Sequence, residues 1–495
     1  MLEKKVAVIG AGLGGLSAAI RLAHAGYSVD LYDQQATVGG KAGTKQIGEF
    51  RFDTGPSLLT MPPVFEQLFE EAGQRLADHL ELVPLAPICR YFFPDGTRLF
   101  SYSERERFAE EIEAKTLDSA RALELYLDYS RRIYENTADL FLWHSLHELS
   151  SYLRVFSLKS LLNLGKIDAL RSMDAANRSF FRDPRMVQLF DRYATYNGSS
   201  PYKVPATLNI IPYVEYGLGG YAVAGGIHAI PSALGRLART LGVRPMLGTR
   251  VERILHQNRR VRGIRVGGEN LDYDVVVSNA DVLRTYEDLL EDPQARPARR
   301  YKALEPSSSG LVFFWGVKES FPELGVNNIF FSNDYPREFR ELFVERVCPV
   351  DPTVYVNITS KVTPEDAPAE GENWFVLINA PCDAGQDWAQ EAAASRERIL
   401  SRLQKALGRP VAGAIATEEA MGPRDIQSNT GSRLGSLYGI SSNTSMAAFL
   451  RHPNRSRRYP GLYFCGGSVH PGGGMPLAIL SGKIASDLIR RHDPA

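Results

Sequence analysis

The chain has 495 residues, 44 % hydrophobic and 23 % charged; that is ordinary for a globular protein but too long for one core, so two or three lobes are expected. Its 57 basic and 57 acidic side chains cancel, and no basic block or nucleic-acid motif occurs, so no nucleic-acid partner is expected. Four scattered cysteines (Cys89, Cys348, Cys382, Cys465) form no C-x-x-C, and the nine histidines show no ligand spacing. Reduced thiols in a cytoplasmic protein are therefore expected, with neither a disulfide frame nor a metal site. No apolar run reaches the ~18–20 residues of a spanning helix, and residues 1–5 lead straight into a strand without a leader, so membrane contact is expected to be peripheral.

Residues 6–15 read VAVIGAGLGG, a buried-strand run flowing into Gly10, Gly12 and Gly15. In a G-x-G-x-x-G of this kind the first glycine allows the tight turn, the second lets backbone approach a pyrophosphate, and the third lets helix and strand pack. Ala11, Leu13 and Gly14 complete that loop. A helix over 16–25, closed by Gly26, and a strand over 27–32 follow. Asp33 then falls at the strand end, where an acid bonds a ribose hydroxyl and repels a 2′-phosphate; Gln34 stands beside it. Residues 36–43 (ATVGGKAG) and 50–56 (FRFDTGP) follow the acidic strand as in flavoproteins with two dinucleotide-binding domains. Gly39 and Gly40 bring backbone near the flavin's own diphosphate or ribityl chain, Lys41 adds positive charge, and Gly55 lies in the second motif. FAD is the expected cofactor.

Residues 105–200 are helical in pattern, with few glycines. Residues 225–300 carry a helix and then a β-rich return whose most apolar strand is 275–277. Residues 305–420 mix strand runs (GLVFFWGV, TVYVNIT, NWFVLINAP) with the helical EAAASRERILSRLQKAL. Residues 461–491 give a last buried strand and a helix with Pro476 in its first turn. The expected division is an FAD-binding domain from 1–75, 225–300 and 421–495, a substrate-binding domain from 76–104, 201–224 and 301–420, and a helical insert over 105–200. The expected fold class is α/β and Rossmann-like, and the resemblance of the two glycine motifs to two-dinucleotide-binding-domain flavoproteins implies the amine oxidase and GDP-dissociation-inhibitor kind.

The segments GGKAG, FDTGPSLLTMPPVFEQLF, LDYSRRIYE (127–135), YATYNGSSPYKVPATLNIIPYVEY (193–216), SNADVLRTYEDLL (278–290) and GLYFCGGSVHPGGGMPLAILSGKIASDLI (461–489) run end to end. On them the chain resembles the bacterial-type carotenoid (phytoene) desaturases, and YNGSSPY with GGSVHPGGGMP resembles the hydroxycarotenoid 3,4-desaturase branch. The resemblance implies a flavin beside an apolar channel for a linear polyene. It adds Val251, Asn279, Gly466, Gly467, Gly474 and Met475 to the cofactor-binding set. It also implies hydride transfer to flavin N5 with loss of a proton from the neighbouring carbon, and a quinone or oxygen to take the electrons.

No base follows from the residues. His470 reads either as a proton donor or as a hydrogen-bonded turn residue. Where related enzymes have an Arg–Asp pair, this chain has Lys159–Ser160, and Asp128 and Arg131 read as structural. Residues 139–166 alternate Leu, Phe and Trp with Arg154, Lys159 and Lys166, which fits an interfacial helix drawing substrate from a bilayer or, equally, a core-facing one. Three other readings stay open: another flavin amine oxidase-like enzyme, a redox-neutral carotenoid isomerase, and a non-catalytic isoprenoid-binding chaperone of the same fold.

Overall fold

Runs of consecutive apolar residues need cover on both faces, and the chain places them in a parallel sheet. Lys5–Ile9 is buried at all but its first residue, and Val275–Ser278 and Leu462–Phe464 are buried throughout. These strands lie side by side in the order Leu462–Phe464, Val275–Ser278, Lys5–Ile9, Ser28–Tyr32, Arg244–Met246, with every pairing parallel. Side chains alternate between the two covers. Val6, Val8, Val275 and Val277 face the first helix (Leu13–His24), the helix Ala229–Thr240 and the final helix (Met475–His492). Ala7, Ile9 and Val276 face a three-stranded antiparallel sheet built from Val251–Gln257, Arg260–Val266 and Glu269–Asp272. The first helix begins three residues earlier than its apolar pattern indicates, because the glycine-rich loop itself turns helical at Leu13. Gly26, at φ +88°, follows its end as expected.

This computed structural model describes residues 4–148 and 167–495. A second, seven-stranded sheet has the order Ile415–Met421, Ser309–Val317, Glu372–Ala380, Val354–Ile358, Asn327–Phe330, Cys89–Phe92, Arg98–Ser101. Its neighbours are antiparallel except for Asn327–Phe330 with Cys89–Phe92. One face, carrying Phe313, Trp315, Trp374, Val376 and Ile378, packs on Ile399 and Leu403 of the helix Trp388–Leu407. The alternate residues Val312, Phe314, Phe375 and Leu377 are left for the opposite face.

Helices Arg105–Lys115, Ala120–Trp143, Met173–Phe180 and Pro184–Asp191 form a third body with an aromatic core, in which the Tyr126 ring lies 4.2 Å from Phe190 and 5.0 Å from Phe181. Of the proposed interfacial segment 139–166, residues 149–166 lie outside the described residues. Asp128 and Arg131 sit half-exposed on the helix Ala120–Trp143, where Asp128 forms loose ion pairs with Arg131 and Arg105. Among the described residues no helix is long and apolar enough to cross a membrane, and no cluster of His, Cys, Asp and Glu could hold a metal ion.

Candidate functional site

The first strand ends where the first helix begins, and Gly10, Gly12, Leu13 and Gly14 there line a cavity of about 980 Å³. Gly10 adopts φ +101°, and a Cβ on Gly15 would fall 1.9 Å from the Gly10 carbonyl. Gly15 therefore does not line the cavity but brings helix and strand together. The helix opens on Gly12 with no side-chain cap and no acidic residue in its first turn, so the positive end of its dipole is unopposed. Asp33 also lines the cavity. Its carboxylate accepts from Ala11 N–H at 2.7 Å and Gln35 N–H at 2.8 Å, which fixes it beside the loop with lone pairs to spare. Ala11 takes part through this backbone bond, and Gln34, on the cavity wall, accepts from Arg284 at 3.0 Å.

Asn279 ties the loop to the far end of the chain. Its Nδ2 donates to the Gly10 carbonyl at 3.2 Å, and its Oδ1 accepts from Cys465 Sγ at 3.6 Å. A Cβ on Gly14 would lie 2.9 Å from Gly466 N, so these two backbones touch. The final helix opens on Gly474, again without a side-chain cap, with Met475 and Pro476 in its first turn. Gly466, Gly467, Gly474 and Met475 line the same cavity, as do Gly39, Gly40, Gly55 and Val251. Two uncapped helix N-termini, glycine backbone and one carboxylate suit a ligand with a diphosphate, a ribose and an electron-accepting ring. FAD fits that donor set, held from both ends of the chain.

Two candidates have partners that the sequence did not indicate. Lys41 lines the cavity, and its Nζ donates to the Leu437 carbonyl at 2.7 Å and the Ser436 carbonyl at 3.2 Å, which leaves one ammonium N–H uncommitted to these carbonyls. Burial lowers its ammonium to about 8, against an opposing pull from Asp281. His470 does not line the cavity. It is buried, its Nε2 meets the His144 carbonyl at 2.8 Å, and its own carbonyl accepts from Ser481 Oγ at 2.7 Å and Asn454 Nδ2 at 2.9 Å. Burial lowers its imidazole to about 3, so it stays neutral at physiological pH, hydrogen-bonded to the His144 carbonyl.

The cavity continues onto the other face of the seven-stranded sheet, where Val312, Phe314, Phe375 and Leu377, clustered with Phe50 and Phe52, form an apolar floor. Sequence reasoning missed the polar residues that close it: Ser57, Arg192, Tyr196, Glu215, Asn327 and Tyr355. Ser57, Tyr196 and Glu215 fall inside quoted segments, yet carried no assigned role. The one available signal was an acid in the apolar helix Ile210–Tyr216 (IIPYVEY).

Residues 13–490 match the family model described as flavin containing amine oxidoreductase. The chain is 42 % identical over 486 residues to a 1-hydroxycarotenoid 3,4-desaturase of a Flavobacterium species, covering 98 % of this chain and 99 % of that one. It is 38 % identical over 492 residues to a 4,4'-diapolycopene oxygenase of a Methylomonas species, covering 98 % of each. Among solved structures, cyclohexylamine oxidase from Brevibacterium oxydans superposes with a TM-score of 0.64 at 15 % identity over 99 % of both chains, which establishes a shared fold. The chain belongs to the flavin-containing amine oxidoreductases, in their carotenoid desaturase-type group, and is an FAD-dependent oxidoreductase.

Proposed function

We propose that this protein is a carotenoid desaturase that introduces carbon–carbon double bonds into a linear polyene, in the manner of a hydroxycarotenoid 3,4-desaturase. The observation that carries the reading is the single cavity joining the nucleotide loop at Gly10–Gly14 to the apolar floor of Val312, Phe314, Phe375 and Leu377. That floor is a continuous apolar surface of the kind a hydrocarbon chain packs on. The likeness to a 1-hydroxycarotenoid 3,4-desaturase over nearly the full length supports it.

Bound FAD supplies the two-electron hydride acceptor, which a quinone or oxygen reoxidises. The chain's own residues do the rest. Gly10–Gly14 and Asp33 would hold the nucleotide half, and the uncapped first turn of the final helix would offer its positive dipole end to the flavin ring. The apolar floor excludes water while a proton leaves the neighbouring carbon. The cofactor-binding residues and the three-part division of the chain given above belong to this proposal.

A polyene is insoluble in water, so the reading includes peripheral contact with a bilayer through the region of 139–166. Within it Phe141 packs edge-on against Phe449 at 5.6 Å, and Met446 stands exposed in the same turn as Phe449. One experiment tests both parts. FAD-loaded protein is mixed with liposomes carrying phytoene, neurosporene or a 1-hydroxy-carotenoid, and sedimentation and product spectra are read. Co-sedimentation and a red-shifted spectrum of the hydroxylated polyene are expected. Conversion of phytoene to lycopene would remove the 3,4-desaturase assignment, and a terminal carbonyl product would favour oxygenation instead.

A further inference from the structure

A channel for pure hydrocarbon has no use for buried charge, yet this one holds an ion pair. Arg192 and Glu215 are only 5 % and 1 % exposed, and both line the cavity. Arg192 Nη2 lies 3.0 Å from Glu215 Oε1 and donates to the hydroxyls of Tyr91 at 2.5 Å and Tyr193 at 2.9 Å. Desolvating such a pair is costly, and well-packed apolar residues in its place are often as stable or more so. Stability alone therefore gives no reason for the pair.

Tyr196 is the member that remains partly accessible. Its hydroxyl donates to Glu215 Oε2 at 2.6 Å and accepts from Arg192 Nη1 at 3.1 Å. A phenol has one proton and two lone pairs. The proton and one lone pair are thus committed, and one lone pair is left. The bond to the carboxylate makes that oxygen a stronger acceptor. On the wall of the same cavity, Tyr355 donates to Asn327 Oδ1 at 2.7 Å and meets Ser57 Oγ at 2.6 Å. Ser57 lies two residues beyond Gly55, so this polar arc borders the stretch proposed to hold the flavin. The charges of Arg192 and Glu215 are felt at the Tyr355 phenol, which burial pushes up.

We propose that Tyr196, held and polarised by Arg192 and Glu215, accepts a hydrogen bond from a hydroxyl near the end of the polyene and so fixes which carbon–carbon bond meets the flavin. This rests on the polyene reading above. In a 1-hydroxy-polyene a single carbon separates the hydroxyl-bearing carbon from the 3,4 bond, so an anchor close to the flavin sets the reacting bond directly. Arg192 and Glu215 are positioning residues; Tyr196 touches the substrate. The chemistry is directional: the site takes a donor, so a methyl ether at the same carbon gains nothing.

The test uses the full-length FAD-loaded protein and three polyenes of equal length that end in a hydroxyl, its methyl ether, or plain hydrocarbon. KM and kcat are measured for wild type, Tyr196→Phe and Tyr355→Phe, with bound flavin read from absorbance. Wild type is expected to favour the hydroxylated polyene by roughly ten- to hundredfold in kcat/KM over both others. Tyr196→Phe should remove that preference, bringing kcat/KM for the hydroxylated polyene down to that of its methyl ether and of the plain hydrocarbon. Equal handling of all three by wild type, or an equal loss on all three in Tyr196→Phe, overturns the proposal while the polyene reading stands. No turnover of any of them overturns both. Should Tyr196→Phe lose its flavin, the wild-type comparison of hydroxyl with methyl ether decides.

Discussion

Lys41 holds its ammonium against the carbonyls of Ser436 and Leu437, and that choice of partner has a consequence for pH. Burial lowers the group from 10.5 to about 8, so between these values the unfolded chain binds a proton that the native chain has released. Stability rises with pH wherever the unfolded state binds more protons. Below about 8 the full cost of burying the charge is present, and it is relieved as pH climbs toward 10.5. Lys41→Met abolishes this titration. Paired urea melts of the two proteins should therefore show wild type gaining on the variant between pH 8 and 10.5, and a constant gap below 8. A gap independent of pH throughout would mean that the ammonium is not desolvated. His470 adds a slope of the same sign lower down: burial holds its imidazole neutral to about 3, so below 6.5 the unfolded chain binds a proton that the native chain does not, and stability falls as pH drops from 6.5 toward 3.

The contact between the first and final helices depends on a small residue. Ser17 Oγ donates to the Ile479 carbonyl at 2.6 Å, and Gly482 stands opposite the loop, where a Cβ would fall 2.4 Å from the Gly14 carbonyl and 2.7 Å from Ser17 Oγ. Alanine in a helix interior normally gains about 1 kcal/mol over glycine. Here the overlap should reverse the sign, with Gly482→Ala losing about 1–3 kcal/mol and binding FAD less tightly. A variant with a higher melting temperature would show that the helices part freely. At this scale much was readable in advance, since uninterrupted apolar runs marked strands covered on both faces and the glycine spacing marked the helix that follows. What escaped was pairing across distance. Arg192 and Glu215 lie on different elements, and only burial turns two ordinary charges into one polar cluster. Likewise nothing in GGSVHPGGGMP distinguishes a histidine that lines the cavity from one beside it, a choice made by the His144 carbonyl.

Across the molecule, the parallel sheet joins three stretches that are far apart in the chain, and the cavity lies against all three. Gly10–Gly14 and Asp33 come from the first, Val251 and Asn279 from the second, and Gly466 with Met475 from the third. A ligand that touches all of them stabilises their mutual docking, by about 2.7 kcal/mol at a hundredfold excess over its dissociation constant. That gain belongs to the assembled sheet and not to the first βαβ unit alone, because Asn279 bonds both the Gly10 carbonyl and Cys465. Hydrogen exchange on protein stripped of flavin and then reloaded with FAD should show this. Protection is expected to rise together in residues 10–17, 275–283 and 462–479. The helix Trp388–Leu407, which packs on the opposite face of the second sheet, should exchange as before. Protection confined to residues 10–17 would instead mean that the nucleotide is gripped by the N-terminal loop alone, and that the terminal helix contributes to the fold without holding the cofactor.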